Sequence, residues 1–202
     1  MPLNSKHSFD EFFKNLQHTR VQPSTGDVLI SEPFLADPNF ARSVILLIRH
    51  DDEGSVGFVL NELARFTIGE VLPDFPMPSL PVYLGGPVGK QHLFVIHTLG
   101  HLLPDAIEIS DGLFWGGDFE TITAMAKSNE LDPNAVKFFA GYSGWSEGQL
   151  KKEIFENSWI TSRLETPLVM SHQVQQLWKK TLIKMGDAYK IISNFPKDPA
   201  LN

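Results

Sequence analysis

Gly141-Tyr142-Ser143-Gly144-Trp145 is the segment whose residue types come closest to a catalytic motif. In the nucleophile elbow G-x-S-x-G, a strained turn between a strand and a helix exposes a serine hydroxyl that attacks a carbonyl carbon. Here Trp145 stands where the elbow requires its last glycine, and no spacing in the chain identifies a partner histidine or acid for Ser143. We therefore favour a tight turn that lets an aromatic pair pack, with a hydrolase that uses Ser143 as the alternative.

His50-Asp51-Asp52-Glu53 brings an imidazole and three carboxylates within four consecutive residues. Such groups are ligands for divalent ions and can also act as general bases. Adjacent side chains on a hairpin rarely converge on one point, however, and the oxygen spacing of an EF-hand is absent. The sequence therefore predicts a turn with no metal ion and no cofactor. A site centred on His50 and Asp51 is kept as a second form of the hydrolase hypothesis.

His97 and Gly148 are two further positions where the sequence allows a site. His97 ends a predicted strand, from which it could meet His50 or Tyr142 across the fold, although a single histidine there is more often structural. Gly148 lies at the start of a predicted helix, whose amino terminus could attract an anion. We expect Ser146 to cap that helix, and ordinary capping is the simpler explanation.

Composition narrows the classes of function. The chain has 202 residues, a formal charge of -7, 15 Phe, 4 Trp and no cysteine. The aromatic residues indicate a packed core, and the negative charge works against broad attraction to nucleic acid or anionic lipid. Without cysteine there are no disulfides or thiol nucleophiles, which fits a cytoplasmic location. The longest aliphatic run, Val44 to Ile48, is far too short for a membrane helix, so no membrane partner is expected.

Short strands are the main elements that must position these residues. Apolar runs of strand length alternate with turns rich in glycine and proline. Strands are predicted at Val28–Ile30, Ser43–Arg49, Val56–Leu60, Val82–Leu84, Leu93–Thr98, Ile107–Ile109, Leu113–Trp115 and Val136–Ala140. The second and third of these are expected to pair as a hairpin.

Helices are predicted where a capping residue precedes apolar residues at helical spacing. They are an amino-terminal helix with Phe9, Phe12, Phe13 and Leu16, a brief one after Thr67, one capped by Asp118, one starting after Ser146, and a last one that carries Val174, Leu177, Trp178, Leu182 and Met185 and ends at Gly186.

Together these elements predict the α+β class. Strands outnumber helices and are not regularly interleaved with them, which disfavours a doubly wound parallel sheet. We expect a strand-rich, mixed or antiparallel sheet, open or barrel-like, wrapped by several helices. No repeat or long linker divides the chain, so residues 1–202 are expected to form a single domain with a helical extension at 1–20, a core at 21–195 and a frayed tail at 196–202.

A series of short motifs in a fixed order resembles the YqgE/AlgH family. The matching pieces are Asp37-Pro38-Asn39-Phe40, His50-Asp51 with Gly54, Gly57 and Asn61, Gly85-Gly86-Pro87-Val88, His97-Thr98, Gly116-Gly117-Asp118, Gly141-Tyr142-Ser143-Gly144-Trp145, Gly148-Gln149-Leu150 and Asn157-Ser158-Trp159. The resemblance implies a bacterial protein with a strand-rich α+β core, in a family described as transcriptional regulators without an agreed biochemical activity. Departures from the family pattern are Lys151 in place of Glu, Glu62-Leu63 in place of Arg-Pro, and the helical extension before Val21.

The sequence therefore favours a non-enzymatic regulatory or binding protein with a small-molecule or protein partner. Polar residues at predicted strand ends and turns are the candidate binding residues, namely His50, Asn61, Gly86, His97, Tyr142, Ser143 and Trp145. Direct nucleic-acid binding is disfavoured by the net charge, although lysines group on the last helix. The hydrolase and a scaffold in a protein complex are the alternatives.

Overall fold

A computed structural model describes residues 22–196 of the chain. The predicted amino-terminal helix and all but the first residue of the predicted frayed tail lie outside these residues. The strands are β1 Val28–Ser31, β2 Val44–Asp51, β3 Gly54–Val59, β4 Leu63–Thr67, β5 Pro81–Leu84, β6 Val88–His97, β7 Ala106–Ser110, β8 Leu113–Gly116, β9 Val136–Ser146 and β10 Trp159–Ser162. The α-helices are α1 Ile68–Val71, α2 Phe119–Lys127, α3 Gln149–Phe155, α4 Thr166–Met170, α5 Leu177–Lys184 and α6 Asp187–Ile192.

The strands form one curled sheet that resembles half of a barrel. Its order is β10-β1-β2-β3-β9-β6-β8-β7, while β5 pairs with both β4 and β9. All of these pairs are antiparallel except β5 with β9, which is parallel. The predicted α+β class with a mixed sheet is therefore confirmed, as is the predicted hairpin, which is β2 with β3.

The aliphatic run in β2 is unbroken because both faces of the strand are buried. Leu46 points into the large core beneath α5 and α6, whereas Ile45 and Leu47 point into a second core that contains Trp145 and Trp159. Alternate residues of a strand face opposite sides of the sheet, so covering both sides selects apolar residues at every position.

β9 is the central strand, and it corrects the predicted turn at Gly141 to Trp145. The strand continues through this segment to Ser146. Its first half pairs with β5 and β6, and its second half pairs with β3. Gly141 lies at the change of partners with φ +71°, a left-handed conformation that favours glycine. The segment is therefore the bend of a long strand, and the prediction of a tight turn before a helix was wrong.

Two helical predictions also need correction. Ser146 ends β9 instead of capping α3, and its backbone N–H and its hydroxyl both donate to Gln149 Oε1, over 3.1 and 3.2 Å. Gly148, with φ +69°, is the residue before the helix. The predicted last helix, α5, ends at Lys184 and is followed by a further helix, α6. Gly186 separates the two helices, because its φ of +113° and ψ of 178° are not helical. The sequence analysis missed β4, β10 and α4 entirely.

Candidate functional site

Ser143 lies at a seam of the sheet, where β5 leaves the edge of β9 and β3 replaces it. The Gly85 carbonyl marks this point and accepts hydrogen bonds from the Val59 amide at 2.9 Å and the Ser143 hydroxyl at 3.1 Å. Ser143 has no exposed surface. Its hydroxyl thus links β9 to the residue that follows β5. The hydroxyl of a serine nucleophile donates to a general base, whereas that of Ser143 donates to a backbone carbonyl oxygen.

Gly86 and Tyr142 belong to the same seam. A Cβ atom on Gly86 would lie 2.3 Å from the carbonyl carbon and oxygen of Tyr142, so the two backbones touch at this point. The Tyr142 ring is half-buried and packs edge-on against Phe94, with ring centroids 5.8 Å apart. Gly86, Tyr142 and Ser143 are therefore brought together, as packing residues of the seam.

We expect Ser143→Ala to cost about 1 kcal/mol of unfolding free energy, the usual contribution of one neutral hydrogen bond. The cost is small because the Gly85 carbonyl keeps its bond from Val59. Urea unfolding of the purified variant measures it. A variant that kept its stability but lost a measured hydrolytic activity would instead support the nucleophile hypothesis.

Trp145 anchors α3 to the outer face of the sheet. The Glu153 carboxylate accepts the indole N–H of Trp145 at 2.9 Å and that of Trp159 at 2.7 Å. The two rings meet edge-on at 5.9 Å, and Gln149 donates to the other oxygen of Glu153. Trp145 is only 6% exposed, so its polar atom is committed to the interior.

His50 lies beside a polar cavity of about 580 Å³ that is also lined by Asp51, Ser146 and Lys151. Its Nδ1 atom lies 2.7 Å from the Ser55 hydroxyl. Asp51 accepts from the backbone amides of Glu53 and Gly54, which is the turn that the sequence predicted. Within residues 22–196, no group of three or more His, Asp or Glu side chains is placed to hold a metal ion.

His97 is fully buried and stacks on Phe114 with ring centroids 5.7 Å apart. Burial lowers the pKa of its imidazole, and the nearby Gly116 backbone offsets part of this effect. Nε2 is buried without a hydrogen-bond partner among the described residues. Nδ1 accepts from the Leu99 amide at 3.3 Å. In the described part of the chain, His97 forms no hydrogen bond with His50 or Tyr142.

Lys137 is a buried cation that the sequence analysis did not identify. Its Nζ atom has no exposed surface and donates to the carbonyls of Val169 at 3.2 Å and Ser171 at 3.0 Å, at the end of α4. It also lies 4.3 Å from the centre of the Tyr83 ring. Burial lowers the pKa of Lys137 to about 7 and raises that of Tyr83 to about 12. The Tyr83 hydroxyl in turn lies 3.0 Å from His172 Nδ1, so this cluster fastens the helical cover to the sheet.

Asn61 holds a second unusual residue, Arg42, in place. The Asn61 side chain accepts from the Val44 amide at 2.8 Å and donates to the Arg42 carbonyl at 2.9 Å. Arg42 has φ +55°, a left-handed conformation that costs a residue other than glycine of order 1 kcal/mol. Such strain persists where the surroundings impose it, and it is concentrated at functional sites.

The residues around Arg42 line a half-open cavity of about 500 Å³, which we call the Arg42 cavity. One wall is the loop between β1 and β2, and the other is the first turn of α5. Its lining residues are Pro38, Asn39, Ala41, Arg42, Ser43, Asn61, Glu62, Gln176, Leu177, Trp178 and Lys179. Gln176, which precedes α5, is also left-handed, with φ +64°. Two strained residues thus lie on opposite sides of one cavity.

The Arg42 guanidinium is incompletely satisfied. Nη2 donates to the Phe195 carbonyl, and the group lies 4.8 Å from the centre of the Trp178 ring. Nε is buried without a hydrogen-bond partner, and burial lowers the pKa of Arg42. Among the ion pairs of residues 22–196, Arg49 and Arg163 contact carboxylates but Arg42 does not. The Arg42 cavity therefore contains a cation without a counter-ion in the described part of the chain.

The seven predicted binding residues are thus distributed over several places. His50 and Asn61 line different cavities, three residues meet at the seam, and His97 and Trp145 are buried in separate parts of the core. Their shared ligand-binding role stays a prediction. Arg42 and Lys137 had no local signal in the sequence. Asn61 was a predicted binding residue, and Pro38 and Asn39 belong to a family motif; these three residues line the Arg42 cavity.

The fold and these sites can be compared with known proteins. The profile of a family described as AlgH-like matches residues 28–190. A UPF0301 protein of Parabacteroides distasonis is 43% identical over 197 residues, covering 96% of this chain and 99% of that protein. A UPF0301 protein of Bacteroides fragilis is 40% identical over 193 residues, covering 95% of this chain and 97% of that protein.

Two solved structures share the architecture. Protein DIP2367 from Corynebacterium diphtheriae matches with a TM-score of 0.73 at 22% identity, over 87% of this chain and 94% of that one. The AlgH protein from Pseudomonas aeruginosa matches with a TM-score of 0.69 at 26% identity, over 87% and 98%. A curled, mixed sheet with a helical cover defines the structural class. Within it, this chain belongs to the AlgH-like, or UPF0301, family, which confirms the resemblance seen in the sequence.

No helix among residues 22–196 is long and apolar enough to cross a membrane.

Proposed function

We propose that the protein is a non-enzymatic regulatory protein that binds a small molecule in the Arg42 cavity. The observation that carries this proposal is Arg42 itself, a strained and partly buried cation that lines a cavity and lacks a carboxylate partner among the described residues. Keeping a cation partly out of water without a counter-ion costs free energy, which a ligand that supplied a polar partner to the guanidinium would recover.

The geometry gives less support to a hydrolase. The Ser143 hydroxyl is buried and donates to a carbonyl oxygen. Asp51 accepts from the amides of its own turn, and His50 lies against Ser55. Ser143 has no base as a partner, and the hydroxyl beside His50 belongs to Ser55, which is only 3% exposed. Hydrolysis needs an accessible activated nucleophile or a metal ligand set.

Regulation of transcription, which the family resemblance implies, is part of the same proposal. In this proposal the protein is cytoplasmic, and binding of the ligand changes its interaction with a protein partner. The net charge of -7 favours this indirect route over direct contact with DNA.

A thermal-shift screen with nucleotides and metabolites tests the binding proposal. A ligand at 100 times its dissociation constant stabilises the folded state by about 2.7 kcal/mol, which for a chain of this size raises Tm by about 5–10 °C. We expect Arg42→Gln to weaken binding at least about tenfold, because a charge-assisted hydrogen bond is lost.

Arg65→Gln is the matched control, because Arg65 is an exposed arginine on β4 outside the lining of the Arg42 cavity. It should leave binding unchanged. Ligands that bind the wild type and Arg42→Gln equally would remove the support for this site. If no small molecule binds and a protein partner is recovered instead, the scaffold hypothesis replaces the proposal.

A further inference from the structure

We infer that the ligand of the Arg42 cavity carries an oxyanion, a phosphate or a carboxylate group, held between the Arg42 side chain and the first turn of α5. The inference rests on the proposed function and names the chemical class of its ligand. Its basis is the balance of donors and acceptors around the cavity.

The side chain of Arg42 supplies the first set of donors. Nη1 forms no hydrogen bond within residues 22–196 and is not among the buried atoms, so it is the donor open to a ligand, whereas Nε is unpartnered but has no exposed surface. Arginine prefers carboxylate and phosphate because its planar donors match their oxygens. The other arginines with ion pairs in the described chain, Arg49 and Arg163, each contact an aspartate. Arg42 is the one that faces a cavity instead.

The first turn of α5 supplies the second set. The Leu177 amide bonds to the Val174 carbonyl at 3.0 Å. The amides of Trp178 and Lys179 have no acceptor in the described part of the chain, because Gln176 makes no side-chain cap. Both residues line the Arg42 cavity. Free amides at a helix amino terminus attract anions through their hydrogen bonds and the helix dipole.

The acceptors of the cavity are already used or lie in solvent. The Asn61 side-chain oxygen accepts from the Val44 amide. Glu62 is the acidic residue of the lining, and it is exposed. Arg42 and Lys179 are the two cationic residues of the lining, and the Lys179 ammonium donates to the neutral Asn194 side chain at 2.9 Å. The lining is therefore rich in free donors and carries more positive than negative charge.

The cavity volume of about 500 Å³ also exceeds what an inorganic anion fills. The Arg42 cavity therefore has room for a ligand with a further part besides its oxyanion. A phosphorylated metabolite and an organic acid both meet this description, and their shared feature is the negatively charged oxygen.

Titration of ¹⁵N-labelled full-length protein with inorganic phosphate, and separately with acetate, tests the inference at residue level. We expect the amide signals of Trp178 and Lys179 to shift saturably with at least one of the two. Arg42→Gln should need at least about tenfold more anion for the same shift, since a charged donor is lost. Arg65→Gln should match the wild type.

Two outcomes overturn the inference. One is an anion-induced shift that is centred on other amides or is unchanged in Arg42→Gln, which would indicate nonspecific binding. The other is no shift with either anion while a neutral compound from the thermal-shift screen binds in an Arg42-dependent way. In that second case the proposed function stands and only the oxyanion fails, whereas binding of no small molecule of any kind rejects both.

Discussion

Gly85→Ala is expected to destabilise the protein by about 3 kcal/mol or more, at the upper end of what single substitutions cost. A Cβ atom at this position would lie 2.2 Å from the Gly141 carbonyl oxygen and 3.0 Å from the Phe58 ring. The first contact is with backbone, so it cannot be relieved by a side-chain rotation. Relief requires separating β9 from the end of β5, which breaks the seam that also holds Ser143.

Gly144→Ala is the matched control for this prediction. Gly144 lies on β9, the strand that contacts Gly85, and its added Cβ would meet only the Tyr142 ring, at 3.3 Å. We expect a loss of about 1 kcal/mol or less, because a partly exposed ring can move. Guanidinium unfolding measures both variants through the shift of the midpoint. Equal losses of unfolding free energy in the two variants would contradict the close backbone contact between Gly85 and Gly141.

Lys137 is expected to make the protein more stable as pH rises from 7 to 9. Its pKa is about 7 in the folded protein and near 10.5 in an ordinary environment, so in this window the unfolded chain holds a proton that the folded chain has released. The unfolding free energy therefore rises with pH, by about 2 kcal/mol over the two units. The burial cost of the cation is fully present below pH 7 and disappears as pH approaches 10.5.

The slope must be absent from Lys137→Met if Lys137 causes it. Tyr83 has its pKa raised to about 12 and His97 has its pKa lowered, so neither of these buried groups titrates between pH 7 and 9. Lys90→Met, at an exposed position of β6, is the control that should keep the slope. Urea unfolding at several pH values gives the comparison. A wild type and a Lys137→Met variant with parallel pH profiles would show that the buried ammonium carries no such cost.

The sequence predicted much of the sheet because local patterns determine its strands. The apolar run Val44–Ile48 and the turn after it were sufficient for the first hairpin. The change of partners along β9 could not be found in the same way. Gly141 and Gly144 are typical of turns, whereas here Gly141 lets one strand bend and exchange β5 for β3, which depends on residues more than 50 positions away.

The candidate site was less predictable still. Nothing near Arg42 in the sequence indicates that its side chain faces α5, since the residues that surround it are brought together by the tertiary fold. Lys137 sits in an apolar run that predicts a strand, but its helical partners lie more than 30 positions further on. Asn61 was identified through the family resemblance, and its hydrogen bonds now supply a physical reason for it.

The central claim is that this AlgH-like protein binds a small molecule at Arg42. A crystal structure of the complex with the compound that gives the largest thermal shift tests it most directly. The claim predicts density for the compound in the Arg42 cavity, with a polar atom of the ligand within hydrogen-bond distance of the Arg42 guanidinium. Density for the same compound in the cavity beside His50, with the Arg42 cavity unchanged, would contradict it.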